Sequence, residues 1–485
     1  MQKTYRRIFF WGIFILFLIS TPLVILHSKG YRFDRKRGIF VYSGSITLKT
    51  IPTNVRIFIN NEEQSSKSLD IINNSVTLNG IRPGTYRIRV AADDYLDWEK
   101  QVEVHSGLSS EFWNVVLAPQ NPELKEIESQ KTARFFPSPF GKKIAYFEDL
   151  EDKLSLWVTD FKTNQTELIS SQDNASASKD RLENLEWNFK EDLMLLPVVR
   201  NNQKDYLIAS GSQALNPVYL SEISRLKNIS RARWSPQEKN TIYFLAGESD
   251  WGRNNLYRIS LNDNVSQIII PDVSTYDLSQ NTIYYIQENN ILFKSNLEGG
   301  NISQVNDNQF TNQSVGNGAR LVVYDDDRQA LLSQTGSLFV HNNGNENFFQ
   351  KIADGVEGVQ FSDDGKKMLF WTSNEMLVMF LRKWEVQPYR GENEIQNIIR
   401  ISSPLENVFW LRDYEHVFFS TDKKIKLIEL DSRDRRICFD VFGNNLDDFP
   451  AAYDADNGYY FFLRDVDGER KIFYFILPEK TGIFG

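Results

Sequence analysis

Two short acidic runs have the carboxylate density of a calcium-binding loop. They are Asp325-Asp326-Asp327 and Asp465-Val466-Asp467-Gly468, and calcium takes several oxygen ligands from a short stretch of chain. Neither run has the twelve-residue spacing that ends in a glutamate. Because Asp and Gly also dominate the turns between strands, we interpret both runs as turns and predict no metal-binding residues.

Paired carboxylates are the other candidate for chemistry. Glu148 with Asp149, and Asp447 with Asp448, are the residue types that act as acid and base on a glycosidic bond. Adjacent residues of a strand point to opposite faces of the sheet, so neither pair is expected to act together. The chain also contains no G-x-S-x-G, H-E-x-x-H or P-loop motif. The sequence therefore predicts no catalytic residues, no cofactor and no enzyme activity, and it leaves the ligand-binding residues unknown.

The single cysteine and the four histidines do not form a metal-binding pattern. His27, His105, His341 and His416 lie too far apart for the spacings of a zinc module. Cys438 lies in the apolar run Arg-Ile-Cys-Phe-Asp, which predicts a buried packing residue.

The charge of the chain is divided unequally between its ends. The net charge is −9, but residues 1–42 contain eight basic residues and one acidic residue, which leaves −16 for the remaining residues. An acidic body of this size repels the phosphate backbone. We therefore exclude nucleic acid as a partner.

Residues 8–26 form an apolar stretch of 19 residues without a charge, close to the length that crosses a bilayer as a helix. The exit, Leu26-His27-Ser28-Lys29, lacks the small-x-small pattern of a cleaved signal peptide, so we predict a retained single-pass anchor after a cytoplasmic stub. The basic segment that follows is expected to lie against lipid headgroups. Three bases precede the span and five follow it, which by itself favours a cytoplasmic carboxyl end. We nevertheless expect an extracytoplasmic body, because long domains translocate largely regardless of charge.

Residues 43–120 predict a small β-sandwich. Apolar and polar residues alternate in five runs, at 44–50, 55–60, 85–92, 98–104 and 112–119, and turn residues separate them. The segment resembles the PEGA domain of surface proteins through Pro52-Thr53-Asn54-Val55, through Pro83-Gly84-Thr85-Tyr86, and through Asp94-Tyr95 followed by Trp98. That resemblance implies an extracytoplasmic adhesion or spacer module without an activity of its own.

The remainder, 121–485, carries an internal repeat. A step of one apolar residue and one turn residue precedes a hydrophobic strand eight times, and the turn residues are at 138, 188, 235, 279, 325, 362, 411 and 454. The mean spacing is close to 45 residues, the period of a four-stranded propeller blade. We predict eight blades, with an extra strand at 123–127 that pairs with the last blade and closes the ring.

The turn sequences of this repeat resemble a known family. Ser138-Pro139-Phe140-Gly141-Lys142-Lys143 and Phe361-Ser362-Asp363-Asp364-Gly365-Lys366-Lys367 are similar to the Phe-Ser-Pro-Asp-Gly-Lys turn of the TolB-type, WD40-like propeller repeat. The resemblance implies a rigid disc that makes protein contacts, here in a membrane-anchored bacterial surface protein.

These observations together predict an all-β protein preceded by one transmembrane helix. We expect a non-enzymatic scaffold or adhesion protein in the cell envelope, which binds an envelope protein or a surface glycan through the propeller. Two alternatives stay open: a carbohydrate-active propeller enzyme with acids around its channel, and a ligand sensor that needs a separate signalling partner.

Overall fold

The structure is a computed structural model. It describes residues 3–34, 38–64, 75–129, 131–150, 153–161, 163–173, 175–177, 184–212, 216–247, 254–287, 291–306, 318–342, 349–447 and 449–477. The predicted acid Asp448, the side chain of Asp149 and the basic residues 35–37 lie outside the described residues.

The chain begins with the helix α1 (Lys3–Ser28). Within the described residues it is the one helix long and apolar enough to cross a membrane, over Tyr5–Ser28, and its apolar stretch is not buried in the protein. A hairpin follows, made of β1 (Tyr31–Asp34) and β2 (Ile39–Tyr42). The sequence interpretation of this stretch as a basic linker missed the hairpin, whose aromatic side chains pair across the strands, as Tyr31 and Tyr42 do with ring centroids 5.3 Å apart.

The next segment forms two sheets that share one core. One sheet has the order β6-β3-β9 and the other β5-β4-β7-β8. The strands are β3 (Gly44–Ile51), β4 (Arg56–Ile59), β5 (Glu62–Gln64), β6 (Ser75–Ile81), β7 (Gly84–Ala91), β8 (Trp98–Val104) and β9 (Ser109–Val116). Leu48 of the first sheet and Val90 of the second are fully buried in the same cluster. The prediction of five strands omitted β5, which is short and acidic, and β6, in which Asn79-Gly80 interrupts the alternation after Leu78.

A single strand, β10 (Lys125–Ile127), then precedes a series of antiparallel sheets. In the described residues these sheets number eight, and each is called a blade. Blades 1 to 4 are, in order, β11 (Arg134–Pro137), β12 (Lys143–Leu150), β13 (Lys153–Asp160), β14 (Gln165–Asp173); β15 (Ala175–Ala177), β16 (Glu186–Trp187), β17 (Leu193–Arg200), β18 (Gln203–Ser210), β19 (Val218–Tyr219); β20 (Ser230–Trp234), β21 (Thr241–Ala246), β22 (Asn255–Ser260), β23 (Val265–Ile270); and β24 (Val273–Ser279), β25 (Thr282–Gln287), β26 (Leu292–Asn296), β27 (Ser303–Gln304).

Blades 5 to 8 repeat the same antiparallel order. They are β28 (Arg320–Asp325), β29 (Arg328–Leu332), β30 (Leu338–Asn342), β31 (Gln350–Ala353); β32 (Gly358–Phe361), β33 (Lys367–Trp371), β34 (Glu375–Phe380), β35 (Ile395–Arg400); β36 (Glu406–Trp410), β37 (His416–Thr421), β38 (Lys424–Glu429), β39 (Cys438–Gly443); and β40 (Ala451–Asp454), β41 (Tyr459–Val466), β42 (Glu469–Ile476). β10 completes blade 8 by pairing antiparallel with β42. Both ends of the propeller therefore share one blade, with β10 as its outermost strand.

A polar turn residue recurs in most repeat steps because it caps the turn that follows the first strand of its blade. Ser138 Oγ accepts hydrogen bonds from the backbone N–H groups of Lys142 and Lys143, at 3.2 and 3.0 Å. Asn188 does the same for Leu193 at 3.2 Å. A short polar side chain satisfies turn donors that would otherwise be unpaired.

The aromatic residue of the step recurs because it joins neighbouring blades. Trp234 Nε1 donates to the carbonyl oxygen of Glu186 in the preceding blade, at 3.0 Å. Trp187 and Trp410 make the equivalent bonds, to Phe136 at 3.3 Å and to Gln360 at 3.3 Å. The repeat period therefore records contacts that position the first strands around a common axis.

The outer strand of blade 2 is short, because β19 covers only Val218–Tyr219 and the helix α2 (Leu220–Ser224) follows it. One sequence interpretation needs correction. Cys438 is exposed, not buried. It lies on the outermost strand of blade 7, where alternate side chains point outward, so Phe439 and Val441 enter the core and Cys438 and Asp440 face solvent.

Candidate functional site

The propeller has two different faces. In an antiparallel blade, the connections between strands 1 and 2 and between strands 3 and 4 lie on one face, and the others lie on the opposite face. The β domain at 43–120 contacts the first of these faces, which we call the docking face. The central channel opens at the second face, which we call the mouth.

A buried ion pair joins the β domain to the docking face. Lys100 Nζ lies 2.6 Å from Glu429 Oε1, and the two side chains are 0% and 4% exposed. Lys100 also donates to the carbonyl oxygens of Asp431 and Arg433, at 2.9 and 3.1 Å. Trp98 Nε1 donates to the other oxygen of Glu429 at 3.1 Å. Since unpaired buried charges are costly, this arrangement holds the two domains in one orientation.

Further contacts surround the ion pair. The guanidinium carbon of Arg433 lies 3.7 Å from the ring centroid of Phe112, and Arg433 Nη2 donates to the carbonyl oxygen of Glu111 at 2.8 Å. In the neighbouring blade, Gln387 Nε2 donates to the carbonyl oxygen of Ser109 at 3.0 Å. Two blades therefore contribute to one continuous interface with the β domain.

The mouth leads into a cavity of about 1270 Å³. One side of it is mainly apolar and comes from blades 6 to 8, with Val359, Val408 and Phe409 among its residues. The other side is more highly charged. Its charged lining residues, with those of an adjoining cavity of about 250 Å³, are Arg134, Glu186, Lys204, Arg231, Arg233 and Arg320.

Arg233 is the centre of the charged side. Its Nε lies 3.0 Å from Glu186 Oε2 and its Nη1 lies 3.0 Å from Asp277 Oδ1. The charge of Glu186, joined by that of Asp277, raises the pKa of Arg233. Burial raises the pKa of Glu186, against the opposing effect of Arg233. Both carboxylates are thus engaged by one guanidinium.

Arg320 lies in the same part of the channel, on the first strand of blade 5. Among the described residues, the guanidinium of Arg320 has no hydrogen bond and no ion pair. Burial lowers its pKa and the positive charge of Arg233 lowers it further, while the negative charge of Asp277 raises it. Within the described channel, the donors of this guanidinium are therefore available to a ligand.

The acidic runs singled out from the sequence lie in turns away from the channel. Asp325 binds Arg328, with Arg328 Nε 3.0 Å from its Oδ2, and Asp326 binds Lys294 at 2.8 Å. Asp465 accepts the backbone N–H of Gly468 at 3.0 Å. Across the part of the chain that the structure describes, no group of three or more His, Cys, Asp or Glu residues could hold a metal ion.

The predicted acid pairs are not brought together with the channel. Glu148 lies on the second strand of blade 1, and Asp447 forms an exposed ion pair with Lys423 at 2.7 Å. The residues that do line the channel were missed. A usable signal was present, because the residue before the repeat step is Glu186 in blade 2, Arg233 in blade 3 and Gln360 in blade 6. Successive side chains of a strand point to opposite faces. The residue before the step therefore points toward the channel when the apolar residue of the step packs inside the blade.

The strand order and the apolar helix define the class: this is a β-propeller protein with a second β domain and an N-terminal apolar helix. No protein-family model and no curated protein matches the chain. Solved structures similar to it include the C-terminal WD40 domain of Sif2, at 10% identity and TM-score 0.49, with 73% of this chain and 99% of that chain covered. The Dos1 propeller has 11% identity and TM-score 0.48, with 75% and 96% covered. An oligogalacturonate lyase from Vibrio parahaemolyticus has 10% identity and TM-score 0.38, with 74% and 94% covered.

These similarities are too low to transfer a ligand or an activity to this chain. The all-β class with one N-terminal apolar helix is confirmed by the strand order itself. The resemblances to the PEGA domain and to a bacterial surface protein stay predictions, as do the domain limits at 42, 43, 120 and 121.

Proposed function

We propose that this protein is a non-enzymatic, membrane-tethered binding protein that engages its partner through the mouth of the propeller. The observation that carries the proposal is the buried Lys100–Glu429 pair, which holds the β domain on the docking face. The opposite face keeps an open cavity of about 1270 Å³. One face is thus used for attachment and the other is free for binding.

The order of the elements supports a tether. The apolar helix α1 precedes the hairpin, and Ser43, which follows the hairpin, donates through Oγ to the carbonyl oxygen of Gly30 at 2.5 Å. The β domain comes next and docks on the propeller, so the mouth faces away from the attached domain. For an extracytoplasmic body, this arrangement presents the mouth to other components of the cell envelope.

The lining of the mouth supports an envelope protein or a surface glycan as the partner. An apolar side and a charged side face each other across the cavity, and binding sites commonly combine apolar walls with a few placed polar groups. The acidic body argues against nucleic acid.

The enzyme alternative depends on free carboxylates in the channel. Glu186 and Asp277 are both bound to Arg233, which favours a binding role over acid and base catalysis at these two positions. Among the described residues, Glu357 and Glu406 are the acids that line the larger cavity, and they are the positions that an enzyme would have to use. Turnover of a glycan by the purified full chain, lost in Glu186→Gln, would reverse this assignment.

Site-specific photocrosslinking in intact cells tests the proposal. Gln360, in the mouth, and Lys366, in the next turn of the same blade on the docking face, are both exposed. A crosslinking amino acid at 360 should yield adducts that are at least tenfold more abundant than those from position 366. Equal yields, or adducts from position 366 alone, would contradict binding at the mouth.

Protease accessibility tests the location. With a tag at the carboxyl end of the full chain, protease added to intact cells should remove the tag. Protection in cells, with digestion in inverted vesicles, would place the propeller in the cytoplasm and overturn the extracytoplasmic assignment.

A further inference from the structure

We propose that Arg320 binds an oxyanion, the carboxylate or phosphate group of a ligand that enters the propeller through its mouth. The inference rests on the proposed function and names the chemical class of the ligand.

Arg320 differs from the neighbouring arginines in its partners. Arg233 has two carboxylates, and Arg134 Nη2 lies 2.5 Å from Asn184 Oδ1. Among the described residues, the guanidinium of Arg320 has neither a hydrogen bond nor an ion pair. A guanidinium has five N–H donors, so Arg320 has the capacity for a ligand.

The two acids near Arg320 already bind Arg233. Asp277 Oδ1 accepts from Arg233 at 3.0 Å and from the backbone N–H of Leu278 at 2.9 Å. Its Oδ2 accepts the backbone N–H of Val323 at 2.9 Å. Glu186 is also bound to Arg233. Among the described residues, neither acid forms a hydrogen bond or an ion pair with the Arg320 guanidinium, although both bind Arg233.

The smaller cavity is lined by more basic than acidic residues among those described. Arg231, Arg233 and Arg320 line the smaller cavity with Glu186 as the only acid among its described lining residues. Asp277 is a second acid in contact with this group. Burial lowers the pKa of Arg320 and the positive charge of Arg233 lowers it further, while Asp277 acts in the opposite direction. A bound anion would add negative charge beside the arginines of this cavity.

The cavity beside Arg320 has room for a small anion. The smaller cavity measures about 250 Å³, the room of about eight waters at roughly 30 Å³ each. Leu185, Ala232 and Leu321 contribute apolar walls, and low-dielectric walls strengthen a charged contact. Arg320 and Leu185 line the larger cavity as well, so an anion can reach the guanidinium from the mouth.

Arginine geometry defines the ligand group. Its planar fork matches the two oxygens of a carboxylate or a phosphate. The acidic body repels free anions, so a bare ion should bind weakly, and a ligand with the same group and apolar contacts in the mouth should bind more tightly.

The test uses the detergent-solubilised full chain, titrated with inorganic phosphate or with acetate at constant ionic strength set by chloride. Unfolding temperature and heat of binding are the readouts. We expect a saturable response in the wild type that is weakened at least tenfold in Arg320→Met. Arg412→Met, at an exposed arginine outside the cavities described, is the matched control and should respond like the wild type.

Two further measurements make every outcome decisive. Arg320→Lys keeps the charge and should bind three- to tenfold more weakly than the wild type, which tests the proposal even if the methionine variant does not fold. Tighter binding of phosphate identifies a phosphate-bearing ligand, and tighter binding of acetate a carboxylate-bearing one. Equal responses in the wild type and all Arg320 variants, or no saturation in any protein, would overturn the site.

Crosslinking at position 360 separates this result from the proposed function. If the adduct persists while the anion response is independent of Arg320, the oxyanion site is wrong and binding at the mouth stands. If adducts from position 360 do not exceed those from 366, the proposed function fails whatever the anion titration shows.

Discussion

Replacing Lys100 by methionine removes the central contact between the β domain and the propeller. The substitution leaves Glu429 buried, with Trp98 Nε1 at 3.1 Å and the backbone N–H of Ile437 at 2.7 Å as its remaining partners. Breaking a buried pair from one side costs about 3–5 kcal/mol. We therefore expect Lys100→Met to lower the free energy of unfolding by that amount.

The double variant separates the ion pair from the packing. Lys100→Met with Glu429→Gln removes both charges, but the carbonyl oxygens of Asp431 and Arg433 still lose their donor. Unpaired buried acceptors cost about 1–3 kcal/mol, so the double variant should be more stable than Lys100→Met alone by about 2 kcal/mol.

Urea unfolding in detergent, followed by tryptophan fluorescence, measures these differences. Arg87→Met is the matched control, because Arg87 forms an ion pair with Glu99 at 2.8 Å in the same sheet while 54% of its side chain is exposed. An exposed pair contributes about 0–1 kcal/mol. If Lys100→Met costs no more than Arg87→Met, the reasoning about the docking face is wrong.

The same pair predicts a pH dependence. Burial raises the pKa of Glu429 above its ordinary value of 4.5, and Lys100 opposes that rise. Without Lys100 the pKa of Glu429 should rise further. A carboxyl with a raised pKa takes up a proton on folding, so stability falls as pH increases through the interval above 4.5. Lys100→Met should therefore regain stability on acidification, relative to the wild type, and an identical pH profile would contradict this.

The ring contacts, the buried histidine and the single thiol give three further predictions. Trp234→Phe removes the bond to the carbonyl oxygen of Glu186 and should cost about 1 kcal/mol in urea unfolding; an unchanged midpoint would count against the role of the repeated aromatic. Burial lowers the pKa of His416, but Asp413, 2.7 Å away, raises it overall. Its contribution to stability is full below pH 6.5 and is lost as pH rises through the raised pKa, so His416→Gln should flatten the stability profile above pH 6.5, and an unaltered slope would refute this. Partial desolvation raises the pKa of the Cys438 thiol to about 11, so maleimide should label the folded chain about tenfold faster per pH unit up to that value; labelling only after denaturation would show that the residue is buried.

The repeat was readable from the sequence because its residues have local or nearest-neighbour roles. Ser138 caps its own turn, and Trp234 bonds to the adjacent blade. Such contacts recur at a constant spacing, so they leave a period of about 45 residues. The alternation of side chains along the strands was also predictable from the sequence. The prediction was wrong at Cys438, where apolar neighbours in the sequence suggested a buried side chain.

The candidate site was decided by the tertiary structure. Arg233, Glu186 and Asp277 come from three different blades, and Trp98 and Glu429 are 331 residues apart in the chain. The local sequence around each of these residues does not distinguish it from other polar residues in strands. The closed ring sets the distances between side chains on the first strands of different blades. Those distances decide which arginine binds a carboxylate, and local sequence patterns do not encode them. The sequence by itself therefore determined the all-β class, the apolar helix and the repeat, whereas ring closure and domain docking determined the charged channel and the face left open for binding.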